Sequence, residues 1–336
     1  MTPSFTTCDV LSAIQPTGEI HLGNYFGAIK NWVDLQEKYR CVYGVVDLHA
    51  MTVPYDPKTL KENTLDMLVG IMAAGVNPEK CILFIQSLVP EHTELTWYFN
   101  CLTSFGELSR QTQFKDKSEK QTEDGNEFIS SGLFTYPVLQ AADILVYNAR
   151  YVPVGQDQQQ HLELSRNIAE RFNHRFGNFF NLPEGLFTPT PKLLSLADPT
   201  KKMSKSLGEK HYIGLFEAED SVRKKVKRAV TDTGETSEEM SAGVKNLFQL
   251  LKACEHQQDH DSLMNDYHNG TLMYGKLKEA VAEALVALTQ GMRQRKAELL
   301  ENKTVLEKTI HESSKAARAI AQQNIAKIRK MIGAAE

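Results

Sequence analysis

Two short stretches of this chain carry residue types suited to handling phosphate. Lys202-Met203-Ser204-Lys205-Ser206 sets two lysines and two serines on a polar run that continues into Leu207-Gly208. Such a loop suits binding a triphosphate, because preorganised cations stabilise charge that develops on a leaving group. Far upstream, Pro16-Thr17-Gly18-Glu19-Ile20-His21-Leu22-Gly23-Asn24 follows the apolar run Val10 to Ile14. Gly18 and Gly23 allow backbone to approach a ligand closely. A helix is predicted to begin near Asn24, and the free N–H groups of a helix start attract phosphate. His21 can donate to a phosphate oxygen. Each stretch alone has an ordinary reading, as a basic surface loop or a Gly-rich turn. Their pairing favours phosphate chemistry, in which negative charge grows on a departing phosphate group.

Loops of this kind need a rigid frame. Val42 to Val46, Cys81 to Ile85 and Tyr151 to Val154 read as short buried strands, as does Val10 to Ile14. A helix is predicted from about Pro57 to Ala74, with Leu60, Met67, Leu68, Ile71 and Met72 near one face and Gly75 as its stop. Another follows Asn24, with Phe26, Ile29, Val33 and Gln36 at three- and four-residue spacing and Trp32 beside them. Strands separated by such helices pair in parallel through right-handed crossovers. Ligands bind these sheets beyond the strand C-termini. Thr188-Pro189-Thr190-Pro191 marks a connection. Beyond it the patterning is helical: Ser221 to Ala229, Val244 to Ala253, Leu272 to Glu301, and Thr304 to Ile332 as one helix or a pair. Residues 230–243 and 255–270 are polar and read as loops.

The 336 residues, 41% apolar and 24% charged, fit one large or two ordinary domains of globular type. No apolar run reaches about 18 residues, so no transmembrane helix is expected. Met1 to Thr7 lack the basic-then-apolar pattern of a signal peptide. Cys8, Cys41, Cys81, Cys101 and Cys254 are scattered without a Cys-x-x-Cys pair, which predicts reduced thiols of a cytoplasmic protein and no structural zinc. His256 and His260 near Cys254 lack a fourth ligand and read as solvent-facing. The net charge of −4 announces no polyanionic partner, so RNA would need local basic patches. Two runs qualify, Arg223-Lys224-Lys225-Val226-Lys227-Arg228 and the set Lys315, Arg318, Lys327, Arg329 and Lys330; a solvated helix face is an equal reading of each.

Tyr136, Gln140, Asp143 and Tyr147 recur at spacings of four, three and four, on a helical stretch otherwise made of Val138, Leu139, Ile144, Leu145 and Val146. A polar stripe on a mostly buried helix needs partners. Periodicity leaves two readings open, an internal hydrogen-bond network and a bound ligand. His49, just after Asp47 at a strand end, is likewise either structural or a substrate contact.

The two phosphate stretches resemble the HIGH and KMSKS signatures of class I aminoacyl-tRNA synthetases. The second is a full match; the first, His21-Leu22-Gly23-Asn24, has Asn for the final His. Longer runs are similar to the tryptophanyl-tRNA synthetase family of bacterial and organellar type. They are Ser12 to Gly18, Val46 to Ala50, Gln113-Phe114-Lys115-Asp116-Lys117, Tyr136 to Leu145 and Val152 to Gln158. The resemblance implies an α/β fold, with a Rossmann-type parallel-sheet catalytic domain at 1–195. Residues 196–336 would hold the KMSKS loop and an all-helical anticodon-binding domain, with the last helix able to pack back on the catalytic domain. The implied function is a tryptophan–tRNA ligase. It would convert L-tryptophan and ATP to tryptophanyl-adenylate and pyrophosphate, then transfer tryptophan to the 3′ end of tRNA(Trp) and release AMP. Mg2+ would accompany ATP, no metal would be held by the protein, and the enzyme would be a cytoplasmic homodimer without a membrane partner.

Carried over position by position, the resemblance implies that Gln15, Lys117, Lys202 and Lys205 serve catalysis. ATP would meet Gln15, Thr17, His21, Gly23, Asn24, Gly155, Asp157, Lys202, Met203, Ser204, Lys205 and Ser206. Tryptophan would meet Leu11, Ala13, His49, Tyr136, Gln140, Asp143, Val152, Val154 and Gln158. Asp143 would accept the indole N–H, while Tyr136 and Gln158 hold the amino acid's charged end. The chain departs from the family pattern at Gln156, where an acidic residue is usual, at Leu11, where an aromatic is frequent, and at Gln140, where Met is frequent. Three alternatives stand beside this. A tyrosyl enzyme shares the fold. A nucleotidylyltransferase shares the upstream element but lacks the helical extension. A non-catalytic RNA-binding relative is disfavoured by intact Lys202 and Lys205.

Overall fold

A computed structural model describes residues 3, 5–112, 114, 128–155, 158–187, 193–231 and 239–335. The chain opens with β1 (Val10–Ile14), α1 (Leu22–Asn24), one π-helical turn at Tyr25–Ile29, α2 (Lys30–Leu35) and β2 (Cys41–Val45). Next come α3 (Asp47–Ala50), α4 (Pro57–Ala73) and β3 (Ile82–Ile85). They are followed by α5 (Glu91–Asn100), α6 (Phe105–Ser109), α7 (Ser131–Leu145), β4 (Tyr151–Pro153), α8 (Gln159–Phe176) and β5 (Glu184–Leu186). The C-terminal part holds α9 (Glu219–Lys227), α10 (Ala242–Ala253), α11 (Gln257–His268), α12 (Tyr274–Glu301) and α13 (Lys303–Ile332).

The five strands form one parallel sheet in the order β3-β2-β1-β4-β5. All five residues of β2 are buried, as expected of a strand with helices on both faces. Its alternation divides the interior. Tyr43 and Val45 join Trp32, Met67 and Ile71 on one side; Val42 joins Phe84, Phe99, Val138 and Phe172 on the other. Succession runs outward from β1 in both directions, so the order reverses between β1 and β4, where ligands bind in open α/β sheets. In β1, Val10, Leu11 and Ser12 are buried, but Ala13 is exposed and Ile14 half-buried. The C-terminal end of this central strand is therefore open to solvent.

Capping chemistry sets the helix ends. Asp56 accepts the Lys58 N–H at 2.9 Å ahead of Pro57 at the first position of α4, and Gly75, with φ +117°, ends it. Two elements differ from the sequence expectation. β5 is short and carries Glu184 and Gly185, so only its pairing with β4 makes it a strand. Residues 257–268, read as loop, form α11; Leu263 is its one buried side chain, too weak a signal to show a helical period.

The last helix is continuous over Lys303–Ile332 and packs along the β3 edge and α5. Edge strands present unpaired backbone groups, and here two serines cover them. Ser313 Oγ accepts the Leu83 N–H at 2.8 Å and Ser314 Oγ accepts the Ile85 N–H at 3.3 Å. Arg318 pairs with the buried Glu91 at 3.0 Å, Arg329 with Glu94 at 2.6 Å, and Asn324 Nδ2 donates to the Val146 carbonyl at 2.8 Å. Ser313→Ala leaves a buried N–H unsatisfied and is expected to cost about 1–3 kcal/mol, read as a lower urea midpoint with unchanged slope.

These pairings also bear on the basic runs. Arg318 and Arg329 are engaged in holding the last helix to α5. In α9, Arg223 is shared between Glu219 and Glu283, and Lys225 pairs with Glu217 at 2.7 Å; Lys224, Lys227 and Arg228 are exposed. No helix among the described residues is long and apolar enough to cross a membrane.

Candidate active site

β1 delivers Gln15 to Gly23 at the C-terminal edge of the sheet. His21 caps α1: its Nδ1 accepts the Gly23 N–H at 3.0 Å, and Asn24 Oδ1 accepts the His21 N–H at 3.2 Å. Asn24, the departure from the signature, thus closes a reciprocal cap. With Nδ1 an acceptor, the ring proton sits on Nε2, leaving an N–H to give to a ligand. Burial, then the charges of Lys205 and Lys202, push the imidazole down to about 4, so it is a neutral donor near pH 7. Gly23 is required because the His21 ring folds over it; a Cβ would stand 2.8 Å from Cε1.

The pH consequence has a definite sign. The unfolded chain binds a proton at His21 below its ordinary value of 6.5, the folded chain only below about 4, so this group removes stability as pH falls through that window. His21→Gln is expected to flatten the dependence of the urea midpoint on pH between these values.

The lysine–serine loop rises from a hairpin-like base. The Ser195 N–H meets the Lys201 carbonyl at 2.8 Å, and the Met203 N–H meets the Leu193 carbonyl at 3.1 Å. Met203 is 2% exposed and packs in the core, so among the predicted ATP contacts it offers only its backbone to a ligand. Ser204 Oγ accepts the Ser206 N–H at 3.3 Å, capping a 3-10 turn at Lys205–Leu207 that ends at Gly208. Lys202 and Ser206 are exposed.

Lys205 reaches back to the upstream element. Its Nζ donates to the carbonyls of Thr17 at 2.8 Å and Glu19 at 2.7 Å. Backbone bonds reinforce the contact: Leu22 N–H to Ile213 carbonyl at 3.0 Å, and Leu215 N–H to Ile20 carbonyl at 2.8 Å. Gly18, with φ +88°, makes the turn that presents these carbonyls. Burial lowers the Lys205 pKa against the opposing charge of Glu19.

The second polar cluster is built around Asp143, 3% exposed. His49 Nε2 lies 2.8 Å from Oδ2; Gln86 Nε2 at 2.7 Å and His92 Nδ1 at 2.6 Å meet Oδ1. Burial would raise this carboxyl, but the hydrogen bonds from His49 and His92 outweigh it and hold it at about 2. Tyr136 OH lies 3.1 Å from His161 Nε2, and burial pushes the phenol up to about 12. Gln158 Oε1 accepts from Gln140 Nε2 at 3.3 Å and lies 3.1 Å from His161 Nδ1. Leu11 and Val152 are buried, Gln15 and Val154 half-buried, Thr17 and Gly155 exposed. Lys117 and Asp157 lie outside the described residues, with Gln113, Lys115, Asp116 and Gln156.

Residues 6–290 match the family described as tRNA synthetases class I (W and Y). A tryptophan–tRNA ligase of Clostridium tetani is 45% identical over 329 residues, covering 96% of this chain and 95% of its own. A second tryptophan–tRNA ligase, from Streptomyces avermitilis, is 46% identical over 330 residues and 96% of each chain. The chain belongs to the class I tRNA synthetases, in the tryptophanyl branch. Among solved structures, the tryptophanyl-tRNA synthetase of Campylobacter jejuni, complexed with ADP and tryptophan, has TM-score 0.84 and 36% identity over 97% of this chain and 99% of that one.

For a class I synthetase the arrangement is chemically coherent. One cluster gathers two lysines, a neutral imidazole N–H and the hydroxyls of Ser204 and Ser206; the other holds a buried anion ringed by donors. Gln86, His92 and His161 escaped the sequence reading. A signal existed for His92, which shares helical spacing with the buried Leu95 and Phe99 of α5. Gln86 lies on a 3-10 turn and His161 opens a helix of mixed polarity, where spacing carries little. No group of three or more His, Cys, Asp or Glu among the described residues could hold a metal ion; His256 and His260 face Asp259 and Asp261.

Proposed function

We propose that this chain is a tryptophan–tRNA ligase. The observation that carries the reading is that one chain holds both Lys205, latched onto the upstream signature, and the ionised, donor-ringed Asp143. Tryptophan enters with its indole N–H toward Asp143 and its charged end toward Tyr136 and Gln158. ATP lies along Gln15 to Asn24, its phosphates taking the N–H of His21 and the charges of Lys202, Lys205 and Lys117. The tryptophan carboxylate attacks the α-phosphate in line and pyrophosphate leaves. The 3′-terminal hydroxyl of tRNA(Trp) then attacks the acyl carbon, releasing AMP. Positioning and charge stabilisation supply the catalysis, with no covalent protein intermediate.

Gln15, Thr17, Gly23, Asn24, Gly155, Asp157 and Ser204 to Ser206 complete the ATP contacts in this reading, and Leu11, Ala13, His49, Gln140, Val152 and Val154 the tryptophan pocket. Mg2+ arrives with ATP, held by phosphates and water. Residues 1–195 form the catalytic domain and 196–336 the KMSKS loop and anticodon-binding part. The protein acts in the cytoplasm, consistent with its unpaired cysteines. It works as a homodimer; exposed Trp97, Phe105 and Phe128 are aromatic surface of the kind a second copy covers. Sedimentation equilibrium reads that assembly.

Amino-acid-dependent ATP–pyrophosphate exchange without tRNA tests the core of the reading. Exchange with tryptophan and not tyrosine supports it. Exchange with tyrosine overturns the role of Asp143, and exchange with neither overturns the enzymatic assignment.

A further inference from the structure

We propose that His92, oriented by Tyr147, is a positioning residue that makes Asp143 selective for a substrate N–H. It does so by filling one carboxylate oxygen and leaving a single acceptor position on the other. The inference rests on the reading that Asp143 receives the indole N–H.

An ionised carboxylate offers about four lone-pair positions. Oδ1 takes two donors, Gln86 Nε2 at 2.7 Å and His92 Nδ1 at 2.6 Å. Oδ2 takes one, His49 Nε2 at 2.8 Å. One position remains, and it is on Oδ2. The two oxygens are therefore inequivalent, and a ligand N–H has one place to bind.

Each donor is itself fixed from behind. Gln86 Oε1 accepts the Leu48 N–H at 3.1 Å, so its amide presents nitrogen to Asp143. His92 Nε2 lies 2.8 Å from Tyr147 OH. Tyr147 is wholly buried, and burial, then the charge of Asp143, keeps its phenol protonated. Its O–H donates to Nε2, which puts the ring proton on Nδ1, facing Asp143. Phe84 stacks on the His92 ring at 5.4 Å and holds its plane. Without His92, each oxygen would carry one bond and the carboxylate would lose its preferred side. Tyr147 and His92 thus act on specificity through Asp143, without themselves touching substrate.

The experiment compares kcat/KM in pyrophosphate exchange for tryptophan and for β-(benzothiophen-3-yl)alanine, in which sulfur replaces the indole N–H. The variants are His92→Leu, His92→Asn and Tyr147→Phe. Wild type is expected to prefer tryptophan by about 10²-fold or more. His92→Leu should shrink that ratio about tenfold, mainly through KM for tryptophan. His92→Asn, which restores a donor near the Nδ1 position, should recover most of it, and Tyr147→Phe should fall between. If His92→Leu does not fold, Tyr147→Phe, lacking one oxygen, carries the test. A wild type that does not distinguish the two substrates overturns the Asp143 reading itself. A discriminating wild type with folded variants that keep its ratio and lose only thermal stability overturns the positioning role alone.

Discussion

Lys205→Ala lowers the rate of tryptophan-dependent pyrophosphate exchange by about 10²- to 10³-fold, the scale on which a preorganised group facing developing charge acts. As ATP is cleaved, negative charge grows on the departing pyrophosphate. Lys205 is the cation that joins the two phosphate elements, bonded at 2.8 and 2.7 Å to the carbonyls of Thr17 and Glu19. Those carbonyls hold the ammonium in place, and a phosphate with full charge competes with them strongly. Alanine removes both the cation and the latch. Since the charge it meets is greatest in the transition state, the loss falls on kcat more than on KM for ATP. Single-turnover adenylate formation is the measurement. A rise in KM alone, with kcat intact, would reduce Lys205 to a ground-state ATP contact.

Asp143→Ala has the second large effect, on stability and activity together. The side chain accepts from His49, Gln86 and His92, all buried, and its removal strands three donors. Breaking a buried charged network from one side costs about 3–5 kcal/mol. The pH sign agrees with this: a carboxyl held at about 2 contributes stability that is full above its ordinary value of 3.8 and is lost as pH falls through about 2. A site built to pair a substrate N–H also loses its selectivity with the acceptor, so kcat/KM for tryptophan should drop about 10³-fold or more. Thermal unfolding and exchange kinetics on the same preparation read the two losses. Ordinary tryptophan activation by a folded Asp143→Ala protein would remove Asp143 from the substrate site.

The sequence by itself determined the strands at Val10, Cys41, Ile82 and Tyr151, because their runs are apolar and local. It also determined the helix that Asp56 and Pro57 start and Gly75 stops, since caps act within one turn. It carried both phosphate elements in the residues themselves, and it held the stripe of Tyr136, Gln140, Asp143 and Tyr147 while leaving open whether a ligand or a neighbour satisfied it. Tertiary structure decided what that stripe meets. Asp143 faces Gln86 and His92, which stand 57 and 51 residues earlier in the same β3-to-β4 connection, and no local period reports a partner that far along the chain. It decided that Met203 is a core anchor amid polar neighbours, and that Glu184 to Leu186 is a strand because β4 pairs with it. It decided, too, that Arg318 and Arg329 bind Glu91 and Glu94 of α5, a pairing invisible in a basic run read alone. Residue type and short spacing fix the local element and the available chemistry. Which distant donor completes a buried charge depends on how the chain returns to it, and that is fixed only when the whole core closes.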